Sequence, residues 1–251
     1  FSKVNPDEVY HLAGQSHVAL SFEIPELTTH EVANATLKLL EICRDQAKPP
    51  KIYLAGSSEI FGHARESIQT EETPFNPTSP YGVCKAFCVQ MGKVYRSGFG
   101  MHVSNGILYN HESPRRGENF VTQKIIRGAA SIAQGKTEFL ELGNLDIERD
   151  WGYAPDYVQG MWMMLQQEQG SDYILATGKT HKLSDFLQLS FEYFGLDHQK
   201  HIQINPKFVR PNEPVHLCGD SSKAQNILGW KPSFTFEQTI KSMCEDARKT
   251  N

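Results

Sequence analysis

Two short stretches of this chain hold side chains suited to moving a proton and a hydride together. The first, Gly56-Ser57-Ser58-Glu59-Ile60-Phe61-Gly62, follows the apolar run Ile52-Tyr53-Leu54-Ala55. The second is Ser79-Pro80-Tyr81-Gly82-Val83-Cys84-Lys85. Tyr81 and Lys85 stand four apart, so on a helix they share a face and the ammonium can act on the phenol. A free tyrosine titrates near pKa ~10 and is a poor base at neutral pH. A fixed cation beside it favours the phenolate. A tyrosine so tuned, with a serine hydroxyl at hand, takes a proton from an alcohol while hydride leaves the same carbon. The Tyr-x-x-x-Lys spacing alone is short enough to fall on any surface helix; a strand-end Ser-Ser-Glu upstream gives it weight.

Local signals say how these stretches are positioned. Residues 51–57 read as a strand running out into a loop, and residues 80–96 as a helix with Ser79 as N-cap and Pro80 at its first position. Upstream, residues 7–14 read as a short buried strand, and Gln15-Ser16-His17 as its strand-to-loop junction. Ligands sit at such junctions in open parallel sheets, although a plain polar turn fits the same residues. Residues 29–46 place Val32, Ala33, Thr36, Leu37, Leu39, Leu40 and Cys43 on a helical period. Residues 101–109 alternate as a strand does. Strand, helix, strand, helix, strand is the signature of an α/β fold with a parallel sheet and crossover helices.

Beyond Tyr109 the rhythm changes. Residues 110–118 form a polar loop with adjacent Arg115 and Arg116, either a solvated charged loop or a clamp for phosphate oxygens. Residues 120–134 read as a helix and 137–142 as a strand. A further helix reaches about residue 168 with Asp156 as its cap, and a strand spans 173–177. Helices follow at 183–194, closed by Gly195, at 221–228 and at 236–249. Arg210 and Glu213 fall in an extended loop. The organisation expected is a cofactor-binding part over residues 1–110 and a mainly substrate-binding part over 111–251, interleaved with late elements of the first.

Composition narrows the classes. Of 251 residues, 39% are hydrophobic and 22% charged, which supports a real core. With 25 basic against 29 acidic side chains, the net charge of −4 gives no sign of a nucleic-acid or membrane surface. No run approaches the ~18 apolar residues of a membrane helix. Cys43, Cys84, Cys88, Cys218 and Cys244 form no Cys-x-x-Cys and no zinc spacing, and read as reduced thiols of a cytoplasmic protein.

These residues also carry a resemblance. Pro6-Asp7-Glu8-Val9-Tyr10, Gln15-Ser16-His17-Val18, Ser57-Ser58-Glu59, Ser79-Pro80-Tyr81 and Asn105-Gly106-Ile107-Leu108 resemble the extended short-chain dehydrogenase/reductases that act on nucleotide sugars. Asn110 through Gly117, Arg149-Asp150-Trp151-Gly152 and Met163 through Gln169 narrow the resemblance to the GDP-mannose 4,6-dehydratase family.

The resemblance implies a Rossmann-like doubly wound sheet with a smaller mixed α/β substrate part. It implies conversion of GDP-D-mannose to GDP-4-dehydro-6-deoxy-D-mannose through bound NADP. In that reading Tyr81 takes the O4 proton, Glu59 takes the C5 proton and, with Ser57, assists loss of the C6 hydroxyl. Lys85 holds the nicotinamide ribose. Cofactor contacts carried over are Leu12, Ala13, Gly14, Gln15, Ser16, Lys85, His111 and Arg116. Sugar-nucleotide contacts are Asn110, Val121, Lys124, Asn144, Arg149, Arg210 and Glu213. The double-arginine loop is implied to reach a neighbouring subunit in a dimer or tetramer.

The chain departs from the family pattern in places. Ser57 stands for a usual threonine and keeps the hydroxyl; Phe61 and Leu27 stand for tyrosines, and Gly14 for an alanine. Leu27 replaces a ring beside the cofactor, which is expected to weaken cofactor affinity. The glycine-rich loop that cradles a dinucleotide pyrophosphate is absent from the sequence; the family pattern expects roughly eighty residues before Pro6, with the first strand and that loop among them. The expectation is therefore a fragment of a longer product that binds NADP poorly by itself and lacks strands on one side of its sheet. Two other functions stay open at this point, a nucleotide-sugar epimerase or reductase and a non-catalytic assembly subunit. Glu59 beside Ser57 argues against the first, and the set Ser57, Glu59, Tyr81 and Lys85 against the second.

Overall fold

The computed structural model describes residues 1, 3–209 and 212–250, the side chain of residue 250 aside, so Arg210 lies outside the described residues. Strand β1 (Glu8–His11) leads through helices α1 (Leu20–Glu23) and α2 (Pro25–Thr29) and a π-helical segment (His30–Asn34) into α3 (Ala35–Arg44). Next come β2 (Lys51–Ala55), a 3-10 turn (Ser58–Ile60), α4 (Pro80–Phe99), β3 (Val103–Leu108) and β4 (Asn110–Glu112). They are followed by α5 (Val121–Ala133), β5 (Leu140–Leu142), β6 (Glu148–Arg149), β7 (Trp151–Tyr153), α6 (Ala154–Leu165) and β8 (Asp172–Leu175). The remaining elements are β9 (His181–Lys182), α7 (Leu183–Tyr193), β10 (Ile202–Ile204), β11 (His216–Leu217), α8 (Ser222–Leu228) and α9 (Phe236–Thr250).

The main sheet is parallel throughout, in the order β1-β2-β3-β8. Both faces are covered. From β2, Ile52 and Leu54 join Leu40, Cys43 and Tyr95 under α3 and α4. Tyr53 turns the other way and packs with Tyr157, Met161 and Met164 of α6. This is the doubly covered parallel α/β arrangement expected. It also corrects one detail: all six residues of β3 are buried, so the strand is central rather than half-exposed and alternating. A strand hydrogen-bonded on both sides and packed on both faces has a strongly fixed register.

Helix α4 begins as its sequence dictates. The Ser79 hydroxyl accepts a hydrogen bond from the Gly82 amide at 3.0 Å, Pro80 fills the first turn, and Gly100 at φ +66° ends the helix. Expected strands shorten at their ends, 7–14 to Glu8–His11, 101–109 to Val103–Leu108 and 137–142 to Leu140–Leu142. The helix expected from Thr29 starts at Pro25, just after the short α1, because proline suits a first turn. Asp156 does not cap α6; it sits inside the helix, and its carboxylate accepts from the Ser233 amide and hydroxyl at 2.8 and 2.5 Å.

A second core lies beside the sheet. Ile125, Ile126 and Ala129 of α5, Phe186 and Phe191 of α7, and Ile240 and Met243 of α9 bury one another around Trp151. Small sheets, β5 with β10, β6 with β9 and β11, and β4 with β7, lie outside the main sheet. No helix among the described residues is long and apolar enough to cross a membrane. All five cysteines are buried and unpaired.

One buried carboxylate locks α4 to the sheet. Asp172 of β8 accepts from Arg96 at 2.9 Å and from the Asn105 side chain at 2.7 Å, with Lys93 at 3.2 Å. Removing it takes the shared acceptor from the buried Asn105 amide and from Arg96, which keep only the Val89 and Val103 carbonyls, and turns half-exposed Lys93 to solvent. D172A is expected to lower unfolding free energy by about 2–4 kcal/mol in urea titrations, whereas a change below 0.5 kcal/mol, roughly that of an ordinary surface site, would contradict this role.

Candidate active site

The carboxyl ends of β1, β2 and β3 lie side by side, and the loops leaving them converge. From β1 the chain passes to Leu12 and Ser16, from β2 to Ser57 and Glu59, and from β3 to Asn110 and His111. With Tyr81 and Lys85 from α4, all of these line one cavity of about 260 Å³. Val121, Arg149, Glu213 and Arg116 also face it. The volume is below the ~300–1,000 Å³ of sites that enclose whole drug-sized ligands. It suits the reacting ends of two ligands rather than their full lengths.

The two sequence stretches meet here. Gly56 leaves β2 with its amide bonded to the Gly106 carbonyl at 2.8 Å, and a Cβ on Gly56 would lie 2.9 Å from that oxygen. Ser57 is extended, and its hydroxyl accepts from the Glu59 amide at 3.3 Å, turning the chain into the 3-10 turn that presents Glu59. On α4, Tyr81 is 7% exposed and Lys85 9%. The Lys85 ammonium donates to the Ala55 carbonyl at 2.8 Å and stands 5.7 Å from the centre of the Tyr81 ring. The Tyr81 amide donates to the Ser21 hydroxyl at 3.2 Å, which ties α4 to the segment after β1.

The polar loop after β3 resolves into two unlike arginines. Arg115 is exposed, while Arg116 folds back with its guanidinium 3.6 Å above the Phe120 ring and Nε 3.3 Å from Glu112. Glu112 is 1% exposed and also accepts from the Thr122 hydroxyl at 2.6 Å. Burial raises its carboxyl above the ordinary range, with Arg116 and Thr122 opposing the rise. Sequence reasoning missed Glu112; a carboxylate inside a polar loop gives no sign of burial.

His111 stacks on Tyr157 at 4.8 Å, and its Nδ1 lies 2.8 Å from the Tyr109 carbonyl, which assigns Nδ1 as donor and Nε2 as acceptor. Desolvation pulls the ring down to about 4, with Arg116 adding a little. Arg149 is almost wholly buried; it reaches Glu213 at 3.4 Å and donates to the Glu148 carbonyl at 2.9 Å.

Not every expected site residue lines this cavity. Ala13, Gly14 and Gln15 border a neighbouring depression with His30, Glu31, Ala35 and Lys38. Gly14 takes φ +131°, and a Cβ there would come 3.2 Å from Val32. The Gln15 side chain bonds Thr28 and the His17 amide. Lys124 lies outside the lining, its ammonium 3.7 Å over the Phe208 ring. Asn144 is exposed and caps its own turn through the Asp146 amide. Among the described residues no group of His, Cys, Asp and Glu is arranged to hold a metal ion.

The cavity residues fit a nicotinamide cofactor at its reacting end. Lys85 and Ser16 offer donors, neutral His111 an acceptor, Arg116 a cation, and Leu12, 57% exposed, an apolar edge.

A protein-family model described as GDP-mannose 4,6 dehydratase matches residues 1–243. GDP-mannose 4,6 dehydratase 1 of Arabidopsis thaliana is 49% identical over 97% of this chain and 68% of its own length. GDP-mannose 4,6-dehydratase of Vibrio cholerae is 45% identical over 97% of this chain and 72% of its own. The chain thus spans about two thirds of the length of these relatives. Among solved structures, RMD from Pseudomonas aeruginosa complexed with NADPH superposes with a TM-score of 0.88 at 24% identity, over 97% of this chain and 82% of that one. UDP-glucose 4-epimerase of Thermotoga maritima also superposes at 0.88, with 23% identity, over 100% of this chain and 80% of that one. These structural matches show a shared Rossmann-like fold.

The His111 shift gives a pH prediction. An unfolded histidine protonates near pH ~6.5, whereas the folded ring stays neutral down to about 4. Between those values the unfolded chain binds the extra proton, so stability falls as pH drops through the window. H111Q should flatten that part of the stability–pH curve in urea titrations; an unchanged slope would contradict the assignment.

Proposed function

We propose that this chain, which belongs to the GDP-mannose 4,6-dehydratase family, converts GDP-D-mannose to GDP-4-dehydro-6-deoxy-D-mannose and water with NADP as a resident cofactor. The observation that carries the reading is the convergence of Glu59 with Tyr81 and Lys85 on one cavity. A dehydrogenase needs only the tyrosine and lysine; a second proton-transfer group serves an elimination.

When bound, NADP would supply the hydride acceptor for sugar C4 and, once reduced, the hydride donor for C6. Tyr81 takes the O4 proton as the ketone forms, and the Lys85 cation stabilises negative charge building on the phenol oxygen. The new carbonyl acidifies C5–H. Glu59 removes that proton, and with the Ser57 hydroxyl delivers a proton to the departing C6 oxygen, which leaves as water. Ser57 can donate because its oxygen already accepts from the Glu59 amide. Proton transfers of this kind contribute typically ~10²–10⁴-fold each.

Leu12, Ser16, Lys85, His111 and Arg116 hold the cofactor in this reading, with Ala13, Gly14 and Gln15 shaping the backbone beside it. Asn110, Val121, Arg149 and Glu213 meet the sugar nucleotide. Lys124 and Asn144 lie farther out, with Arg210 as a further contact. The choice of NADP is in keeping with the NADPH carried by the Pseudomonas aeruginosa RMD structure, and a cytoplasmic setting with five unpaired thiols.

A homo-oligomer, dimer or tetramer, also belongs to this reading. Val83, Phe87 and Val94 recur on one face of α4 and are 55%, 38% and 49% exposed. F87E is expected to lower the mass seen by light scattering; an unchanged mass would place any interface elsewhere.

The activity itself is tested with GDP-mannose and NADP+. The full-length protein should release the 4-keto-6-deoxy product, and E59Q should lose about 10³-fold in product formation. Product formed equally by E59Q, or a 4-keto sugar that keeps its C6 hydroxyl, would overturn the reading.

A further inference from the structure

We infer that Gly82 is a positioning residue for Glu59, setting the gap between the two proton-transfer groups of the reaction. The inference rests on the dehydration reading above. Gly82 is the residue after Tyr81, buried in the first turn of α4. Its φ is not positive, so its backbone conformation does not call for glycine. What glycine supplies there is space. A Cβ at Gly82 would stand 2.7 Å from the Glu59 carbonyl oxygen, 3.1 Å from the Pro77 Cβ and 3.2 Å from the Ser79 hydroxyl. The turn that presents Glu59 is therefore seated directly on the turn that presents Tyr81.

The two sides of this contact differ in stiffness. Helix α4 runs for 20 residues, and its start is pinned by the Ser79 cap and by the bond from the Tyr81 amide to Ser21. Cys88, Val89, Gly92 and Tyr95 bury its inner face. The Glu59 turn is three residues long; Ile60 and the following Phe61 are anchored in the core with Val89 of α4. The peptide of half-buried Glu59, between them and Ser57, is held locally by the Ser57 hydroxyl, so it is the part that gives. A methyl group on Gly82 thus displaces that peptide and leaves Tyr81 and Lys85 in place. Alanine is also the better helix former, so the helix itself gains from the exchange.

The consequence separates the halves of the reaction. In the first half the C4–H and O4–H bonds break and the C4 carbonyl forms; the hydride reduces the nicotinamide and the proton goes to Tyr81. In the second, C5–H gives its proton to Glu59, the C6–O bond breaks with the oxygen leaving as water, and the C5–C6 double bond forms. Return of the hydride to C6, with a proton to C5 balanced by the one Tyr81 took from O4, closes the cycle. Moving Glu59 slows only the second half.

The test compares full-length G82A with the wild type, E59Q and G98A. Gly98 lies on the same helix with nothing within 4 Å of an added Cβ. For G82A, product formation should fall about 10–100-fold with little change in KM. On adding GDP-mannose, the near-ultraviolet absorbance of reduced nicotinamide should build up on the enzyme, as in E59Q. A crystal structure should show the Glu59 carbonyl moved away from α4, with Tyr81 and Lys85 unmoved. G98A should behave as wild type.

The inference is overturned if G82A turns over like G98A, if it loses the first half as well, or if it fails to fold, since a shift confined to one turn leaves the core intact. If neither the wild type nor E59Q reduces the cofactor, the dehydration reading fails and this inference with it.

Discussion

The parallel pairing of β2 with β1 on one side and β3 on the other is the constraint on which the site depends. Tyr53 pairs with Tyr10 and with Ser104, and the neighbouring residues follow in register. Because β2 and β3 are packed on both faces, a slip of one residue would invert every side chain between two cores. That fixed register sets the end of β1 at His11 beside Leu54 and Asn105, with β3 running on to Leu108. The loops that leave the three strands then open on one cavity, where ligands sit in open α/β sheets.

Helix α4 adds what the sheet alone does not. Its N-terminal cap fixes where Tyr81 and Lys85 fall, and the Lys85 bond to Ala55 returns the helix to the end of β2. The Ser57 hydroxyl, Glu59 carboxylate, Tyr81 phenol and Lys85 ammonium therefore come from two adjoining elements, joined by the close contact at Gly82. The second core supplies the opposite wall. Val121 begins α5, and Arg149 is held in β6 by its neighbours, so this wall of the cavity inherits the rigidity of the helices behind it.

Much of this was legible in the sequence because the signals are local. A β-rich apolar run before Gly56 marks β2, Ser79-Pro80 marks the start of α4, and four-residue spacing puts Tyr81 beside Lys85. What was hidden depends on residues far apart in the chain. Asp156 looked like a cap, but its carboxylate is taken by Ser233, 77 positions away. Gln15 looked directed at a ligand, and its side chain is turned onto Thr28 and its own loop. Lys124 is drawn to Phe208, from a distant turn. Glu112, between a histidine and a serine, owes its burial to Thr122 and Arg116. Periodicity reports which face of an element is buried; it does not report which distant partner buries it.

The central claim is that one cavity oxidises C4 and removes the C6 hydroxyl of the same bound sugar. The most direct measurement supplies the full-length protein with GDP-mannose deuterated at C4 and locates the label in the product by NMR. Deuterium is expected at C6 of the 4-keto-6-deoxy sugar, carried there within the same cavity. A product with unlabelled C6, or oxidation at C4 with the C6 hydroxyl still in place, would contradict it.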